Sequence, residues 1–144
     1  MEVEVDTETG AVEVTNVVNV NDVGKVISWE TCEGQQYGGT YMGVGRALME
    51  EVVHDRLSGV ILNGNLLDYK IATIGDCGPI ATHLVETRQG YGPYGATGIG
   101  EDIATVIPAL LAPAVYNAIG VWINEFPITP ALVLKALEGV KLKR

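Results

Sequence analysis

Ten of the 18 glycines fall in two short stretches, and each stretch carries one polar side chain able to do chemistry. The first reads Glu33-Gly34-Gln35-Gln36-Tyr37-Gly38-Gly39 and runs on through Gly43 and Gly45. The second runs from Gly90-Tyr91-Gly92-Pro93-Tyr94-Gly95 through Ala96-Thr97-Gly98-Ile99-Gly100 to Glu101. Glycine loses more backbone entropy on folding than any other residue, so this clustering marks backbone that takes positive φ or is closely approached. A bulky cofactor is one such neighbour and a tightly crossing helix is another. Both stay open at this point.

At 144 residues the chain is expected to form one domain, residues 1–144, long enough to bury a core. Nine Lys and Arg against 18 Asp and Glu give a formal net charge of −9, which argues against nucleic acid, since phosphate binding needs clustered cations. The one basic cluster, Lys141, Lys143 and Arg144, reads as a solvated tail. The most apolar run, Ile103 to Ile123, is broken by Pro108, Pro113, Asn117 and Gly120, and no membrane span is expected. The N-terminus is acidic where a secretory signal would be basic, so the cytoplasm is the expected compartment. Cys32 and Cys77 form no Cys-x-x-Cys pair and read as buried thiols.

Apolar and polar residues alternate over 2–6 and again around Val12, Val14, Val18 and Val20, which predicts a hairpin with one buried face. The spacing of Tyr41, Val44, Leu48 and Val52 predicts a helix from Cys32 to His54, weakened by its glycines at about 1 kcal/mol each. A turn at 55–59 and strands at 60–62, 66–72 and 80–87 are expected next, then the glycine loop. Glu101 and Asp102 open a helical segment whose register Pro108 and Pro113 interrupt. Thr129 and Pro130 supply an N-cap and first position for a last helix bearing Leu132, Val133, Ala136 and Leu137, which Gly139 stops. The expected class is α+β, a compact domain without internal repeat or linker.

Glu101 is the sharpest candidate for chemistry. Aligned N–H groups at a helix start favour an ionised carboxylate, which could then serve as a general base, although acidic residues there also simply complement the dipole. Asp102 has that second role open to it as well. Gly90-x-Gly92-x-x-Gly95 matches the dinucleotide pattern in letters but not in context. Pro93 removes a donor, more loop follows the third glycine, and no βαβ repeat surrounds it. Gln35 reads as a buried amide near a helix start. His54 and His83 lack partners at ligand spacing, Ser28 and Ser58 lack a nucleophile elbow, and no side chain is assigned as a metal ligand. Asp68-Tyr69-Lys70 reads as a charged strand edge.

Taken in order, Glu33-Gly34-Gln35, Gly38-Gly39, Gly43-Val44-Gly45-Arg46-Ala47-Leu48, Asp68-Tyr69 and Gly92-Pro93-Tyr94-Gly95-Ala96-Thr97-Gly98-Ile99-Gly100-Glu101 resemble the C-terminal part of the molybdopterin-binding subunits of the xanthine oxidase family of molybdenum hydroxylases. That family includes aldehyde oxidoreductases and aromatic-ring hydroxylases. The later segments around Pro108, Pro113 to Gly120 and Leu132 to Leu137 fit as well, so the resemblance covers nearly the whole chain.

The resemblance implies that Glu101 is the catalytic base, deprotonating the hydroxyl that attacks an electron-poor carbon of an aldehyde or N-heteroaromatic substrate, with water as oxygen source. It implies that Gln35 lies beside the molybdenum–molybdopterin group, in a dinucleotide form, with Gly34, Gly98, Ile99 and Gly100 closing backbone around it. Iron–sulfur clusters and FAD are implied on other subunits, so the expected partners are the rest of the molybdenum subunit, an iron–sulfur subunit and a flavin subunit; a homo-oligomer is compatible with this. Thr97 stands where many relatives carry Lys, Met42 where many carry Gln, and no Pro follows Asp68-Tyr69, so no substrate is assigned. The family's subunit is several times longer. The chain is accordingly either a separately encoded subunit that completes a split site or a fragment of the longer one. A non-catalytic assembly module is the alternative. Either way, the chain alone is expected to expose apolar surface around 33–45 and 90–100.

Overall fold

The computed structural model describes residues 1–141, so Lys143 and Arg144 of the basic run lie outside the described residues. It is a single small α+β domain, as the sequence predicts. A three-stranded sheet, its strands lying side by side in chain order, is joined to three α-helices among the described residues. Strands β1 (Glu2–Val5) and β2 (Val12–Asp22) form the expected antiparallel hairpin. Asp6 tightens its turn by accepting the Glu8 and Thr9 amides. At Gly10 φ is 79°, and a Cβ there would strike the Pro130 carbonyl. Strand β3 (Ile80–Val85) runs parallel to β2 on its other edge.

Strand β2 departs from the predicted alternation. Its register against β1 slips between Glu2↔Asn16 and Val3↔Val14, leaving Thr15 as an extra residue. A bulge of this kind reverses which residues face the core. Val12 and Val14 point inward before it; after it Val17 and Asn19 are buried, while Val18 and Val20 are 51% and 62% exposed.

Helix α1 spans Trp29–Leu48, three residues earlier at its start than predicted and six shorter at its end. Ser28 caps it by accepting the Thr31 amide, and it closes when Met49 and Glu50 both donate to the Gly45 carbonyl. The segments at 60–62 and 66–72 are not strands; only an isolated bridge joins His54 and Ile61. Asp55 accepts the Leu57 and Ser58 amides and Asn65 those of Leu67 and Asp68. Such side-chain turns compete with a ladder for the same donors.

Helix α2 (Asp102–Ile119) runs unbroken through Pro108 and Pro113. The prolines remove two helical donors, yet Ile103, Ile107, Leu111 and Val115 recur every four residues as one buried stripe. Packing of that stripe outweighs the local penalty of about 3 kcal/mol per proline. Among the described residues α2 is also the one helix apolar and long enough, at 18 residues, to cross a membrane; its stripe instead lies in the domain core. Helix α3 starts at Pro130 with Thr129 accepting the Leu132 amide, and continues through Gly139 to Lys141 rather than stopping there.

Helices α1 and α2 touch through glycine. A Cβ on Gly39 would lie 2.9 Å from Ile103 Cβ, and one on Gly43 2.4 Å from Ile107 Cβ. These glycines answer the open question for the middle of α1: they serve a crossing helix. Gly34 and Gly38, one turn earlier, have nothing within 4 Å. Gly43→Val should therefore lower stability by about 1–3 kcal/mol through overpacking. Gly38→Ala should raise it by up to about 1 kcal/mol through helix propensity. Urea denaturation of the two variants checks both signs.

Candidate functional site

The glycine loop is folded on itself. Gly90 donates to the Gly95 carbonyl, Gly92 to that of Ala96, Gly95 to that of Gly92 and Ala96 to that of Pro93. Gly95 needs its φ of 79°, and Cβ atoms on Gly90 or Gly95 would collide with backbone. With the Gly90, Gly92, Gly95 and Ala96 amides donating inward and Pro93 lacking one, the three glycines of the Gly-x-Gly-x-x-Gly letters do not present the amides a pyrophosphate cradle needs. The loop is tied to the β2–α1 turn, Thr97 donating to the Val23 carbonyl and Arg88 to that of Gly24. Ile99 packs on the small apolar cluster of Val23, Val26 and Cys32.

Beyond that anchor the backbone opens. Cβ positions on Gly98 and Gly100 meet nothing within 4 Å. Glu101 occupies the N-cap position of α2 without using its side chain as a cap, and that side chain is 75% exposed. Its carboxylate lies 4.0 Å from Nη2 of Arg46, an exposed pair of little energetic weight. Asp102 takes the structural role instead. Its carboxylate accepts from Asn21 Nδ2 and from the Gly100 amide at 3.1 Å. Partial burial opposes ionisation, but these hydrogen bonds hold its carboxyl below the usual range.

Gln35 is exposed on α1, not buried as the sequence suggested; the buried amide is its neighbour Gln36. Gln36 Nε2 donates to the His83 carbonyl at 3.4 Å while its Oε1 has no partner. Thr40 donates to the Gln36 carbonyl and accepts from Asn19 Nδ2 at 2.6 Å, so a buried polar chain links α1 to β2 and β3. Gln35 lies one turn before Gly39, which packs on the first turn of α2 next to Glu101. The two glutamine–glutamate segments thus border one helix crossing, although no hydrogen bond joins their side chains among the described residues.

The structure adds residues that spacing alone did not single out. Tyr69 donates to Glu50 Oε2 at 2.8 Å, and this hydrogen bond is the first cause holding its phenol above the ordinary range. Arg46 lies near enough to Tyr69 to oppose that rise and also faces Glu101. The Gly-Val-Gly-Arg and Gly-Ile-Gly-Glu motifs therefore approach each other at Arg46, whose charge also reaches the Asp-Tyr motif. Nothing local in the sequence signals this meeting, because 23 residues separate Arg46 from Tyr69 and a further 32 separate Tyr69 from Glu101. Cys32 and Cys77 are free and buried, and no three His, Cys, Asp or Glu side chains cluster as ion ligands among the described residues.

A depressed carboxyl contributes stability above its unfolded value, near 3.8, and loses it as pH falls through the lower folded value. Asp102→Ala should thus be less stable than the parent at pH 7, by on the order of 1 kcal/mol for the lost hydrogen bonds. The gap should narrow toward pH 3. Thermal unfolding of both proteins at the two pH values measures it.

The sequence pattern of the molybdopterin cofactor-binding domain matches residues 1–78. The chain is 39% identical over 126 residues to a xanthine dehydrogenase molybdenum-binding subunit of Escherichia coli O157:H7, covering 88% of this chain and 17% of that one. It is 33% identical over 141 residues to the aldehyde oxidoreductase molybdenum-binding subunit PaoC of Escherichia coli K12, covering 97% of this chain and 19% of that one. Quinoline 2-oxidoreductase from Pseudomonas putida 86 superposes with a TM-score of 0.84 at 33% identity, over 94% of this chain and 18% of that one. The chain spans about a fifth or less of the length of these relatives. Its motifs, its fold and these similarities agree: the chain belongs to the molybdopterin cofactor-binding domain family, alongside the molybdenum-binding subunits of xanthine dehydrogenases and aldehyde oxidoreductases.

Proposed function

We propose that the chain is the part of a molybdenum hydroxylase that supplies the catalytic base, with Glu101 in that role and Gln35, Gly34, Gly98, Ile99 and Gly100 toward the molybdopterin group. The observation that carries this reading is the contrast among the glycines. Gly39, Gly43, Gly90 and Gly95 each have a neighbour inside the chain that excludes a side chain, whereas Gly34, Gly98 and Gly100 have none. Backbone bare for no internal reason, beside an exposed carboxylate at a helix start, fits the approach of a group brought by another polypeptide. Exposed Leu57, Leu66, Leu67, Ile74 and Tyr91 likewise fit a chain covered by partners.

When bound, the molybdopterin group supplies the redox chemistry of hydroxylating an aldehyde or N-heteroaromatic carbon, with water as oxygen source. Glu101 accepts one proton at a carboxylate oxygen, with Arg46 Nη2 4.0 Å from that carboxylate. Asp102 holds the Gly100 amide, which fixes the backbone from which Glu101 projects. The buried Asn19–Thr40–Gln36 chain holds the first half of α1 and with it Gln35. In this reading the cofactor is a dinucleotide form held mainly by the remaining molybdenum-subunit polypeptide. Iron–sulfur and flavin subunits carry the electrons away, in the cytoplasm.

An assembly module that keeps the fold without turnover is the second reading; it is favoured by the same exposed apolar surface, while the retained Glu101 favours the first. In the assembled complex, Glu101→Gln should keep molybdenum content and lower turnover by about 10²–10⁴-fold, the worth of a general base. Gln35→Ala should perturb the metal's spectrum with a smaller loss of rate. Near-parental hydroxylation by the Glu101→Gln complex would remove the base from this chain and leave the assembly module.

A further inference from the structure

Strand β2 changes partners along its length, and the second half has an unpaired edge. From Val17 onward it bonds β3, Val17 donating to the Pro79 carbonyl and Val23 to that of Val85. Successive strand residues turn their backbone groups to opposite sides. The amides of Val18 and Val20 therefore point away from β3, toward the edge that β1 occupies only as far as Glu2↔Asn16. No backbone partner meets them among the described residues.

Helix α2 borders the same edge. It contacts β1, and Met1, Val3 and Val5 pack against the core cluster that holds Leu111 and Val115. Its first half lines a groove with Val18 and Val20, into which Val106 and Leu110 turn side chains 51% and 43% exposed. A strand laid in line with β1 would pair with the free edge of β2 and cover those two side chains beneath α2. Exposed strand edges with apolar flanks are sites of β-augmentation.

We propose that this edge, residues 17–22 of β2 under the first half of α2, receives an extended apolar segment of the remaining molybdenum-subunit polypeptide as a strand antiparallel to β2. The line of β1 sets its direction and register. Its source is argued from length, since more than four fifths of the related molybdenum-binding subunits lie outside the region this chain matches. The proposal rests on the reading of the chain as part of such a subunit, but concerns assembly rather than chemistry.

Hydrogen exchange of the chain alone and in the assembled molybdenum subunit tests it. The Val18 and Val20 amides should exchange freely in the chain alone and slow by at least about 10²-fold on assembly, as ladder amides do. Val17 and Val23 should be slow in both states. Val106→Lys and Leu110→Lys should leave the melting temperature of the chain unchanged and weaken assembly at least tenfold. Val18 and Val20 amides that stay fast in an assembled, active complex would overturn the proposal. So would slow exchange in the chain alone together with a dimer in sedimentation, which would assign the edge to a second copy. Protected edge amides in a complex without turnover would uphold the strand while removing the catalytic reading.

Discussion

Gly39 and Gly43 set the distance between α1 and α2, and the position of every candidate residue follows from it. A methyl group at either would enter the space of Ile103 or Ile107. Because the backbones approach so closely, the buried stripe of α2 reaches the core shared with Val14, Val17 and Val44. That burial keeps α2 continuous through two prolines, and the first turn of α2 carries Glu101 at its cap. A helix of poor intrinsic propensity and a helix with two breakers stabilise each other. Tertiary packing commonly overrides local preference in this way.

The polar interior works beside that crossing. Asn19, Thr40 and Gln36 are buried where apolar residues would pack more simply. Their hydrogen bonds connect the sheet to α1 with a directionality that apolar contact lacks. Gln36 keeps one carbonyl oxygen without a partner, a local cost inside the element that presents Gln35. The glycine loop shows the same division of labour. Its first half is closed by internal hydrogen bonds and pinned to the β2–α1 turn, and only the Gly98-Ile99-Gly100 stretch leads outward to the cap.

Much of this was legible in the sequence because it depends on near neighbours. The hairpin was marked by alternation and a turn ending in Gly10, the last helix by Thr129-Pro130, and the helix start at Glu101 and Asp102 by acidic residues after glycine. The ordered glycine motifs identified the family, since each motif is a short run whose spacing survives in one dimension. Misreadings arose where distant groups decide. The strands expected at 60–62 and 66–72 have apolar composition but no partner strand; Leu62 donates to the Val53 carbonyl, and Asn65 claims the Leu67 and Asp68 amides. The helix expected to reach His54 stops at Leu48, because Gly45 receives the closing amides. The sequence points to Gln35 as the buried amide and the structure buries Gln36, since adjacent residues on a helix differ by 100° in direction and only the packed partner shows which faces inward.

By itself the sequence determined the α+β class, the family and the chemical types available at the candidate site, because these follow from local propensity, ordered motifs and the identity of side chains. Tertiary structure alone decided which valines of β2 are buried, since one bulge at Thr15 inverts the strand's faces without leaving a compositional mark. It also decided which glycines serve the fold and which leave backbone bare. The letter is the same at Gly43 and Gly98, and the difference is whether another part of the chain occupies the space a side chain would need.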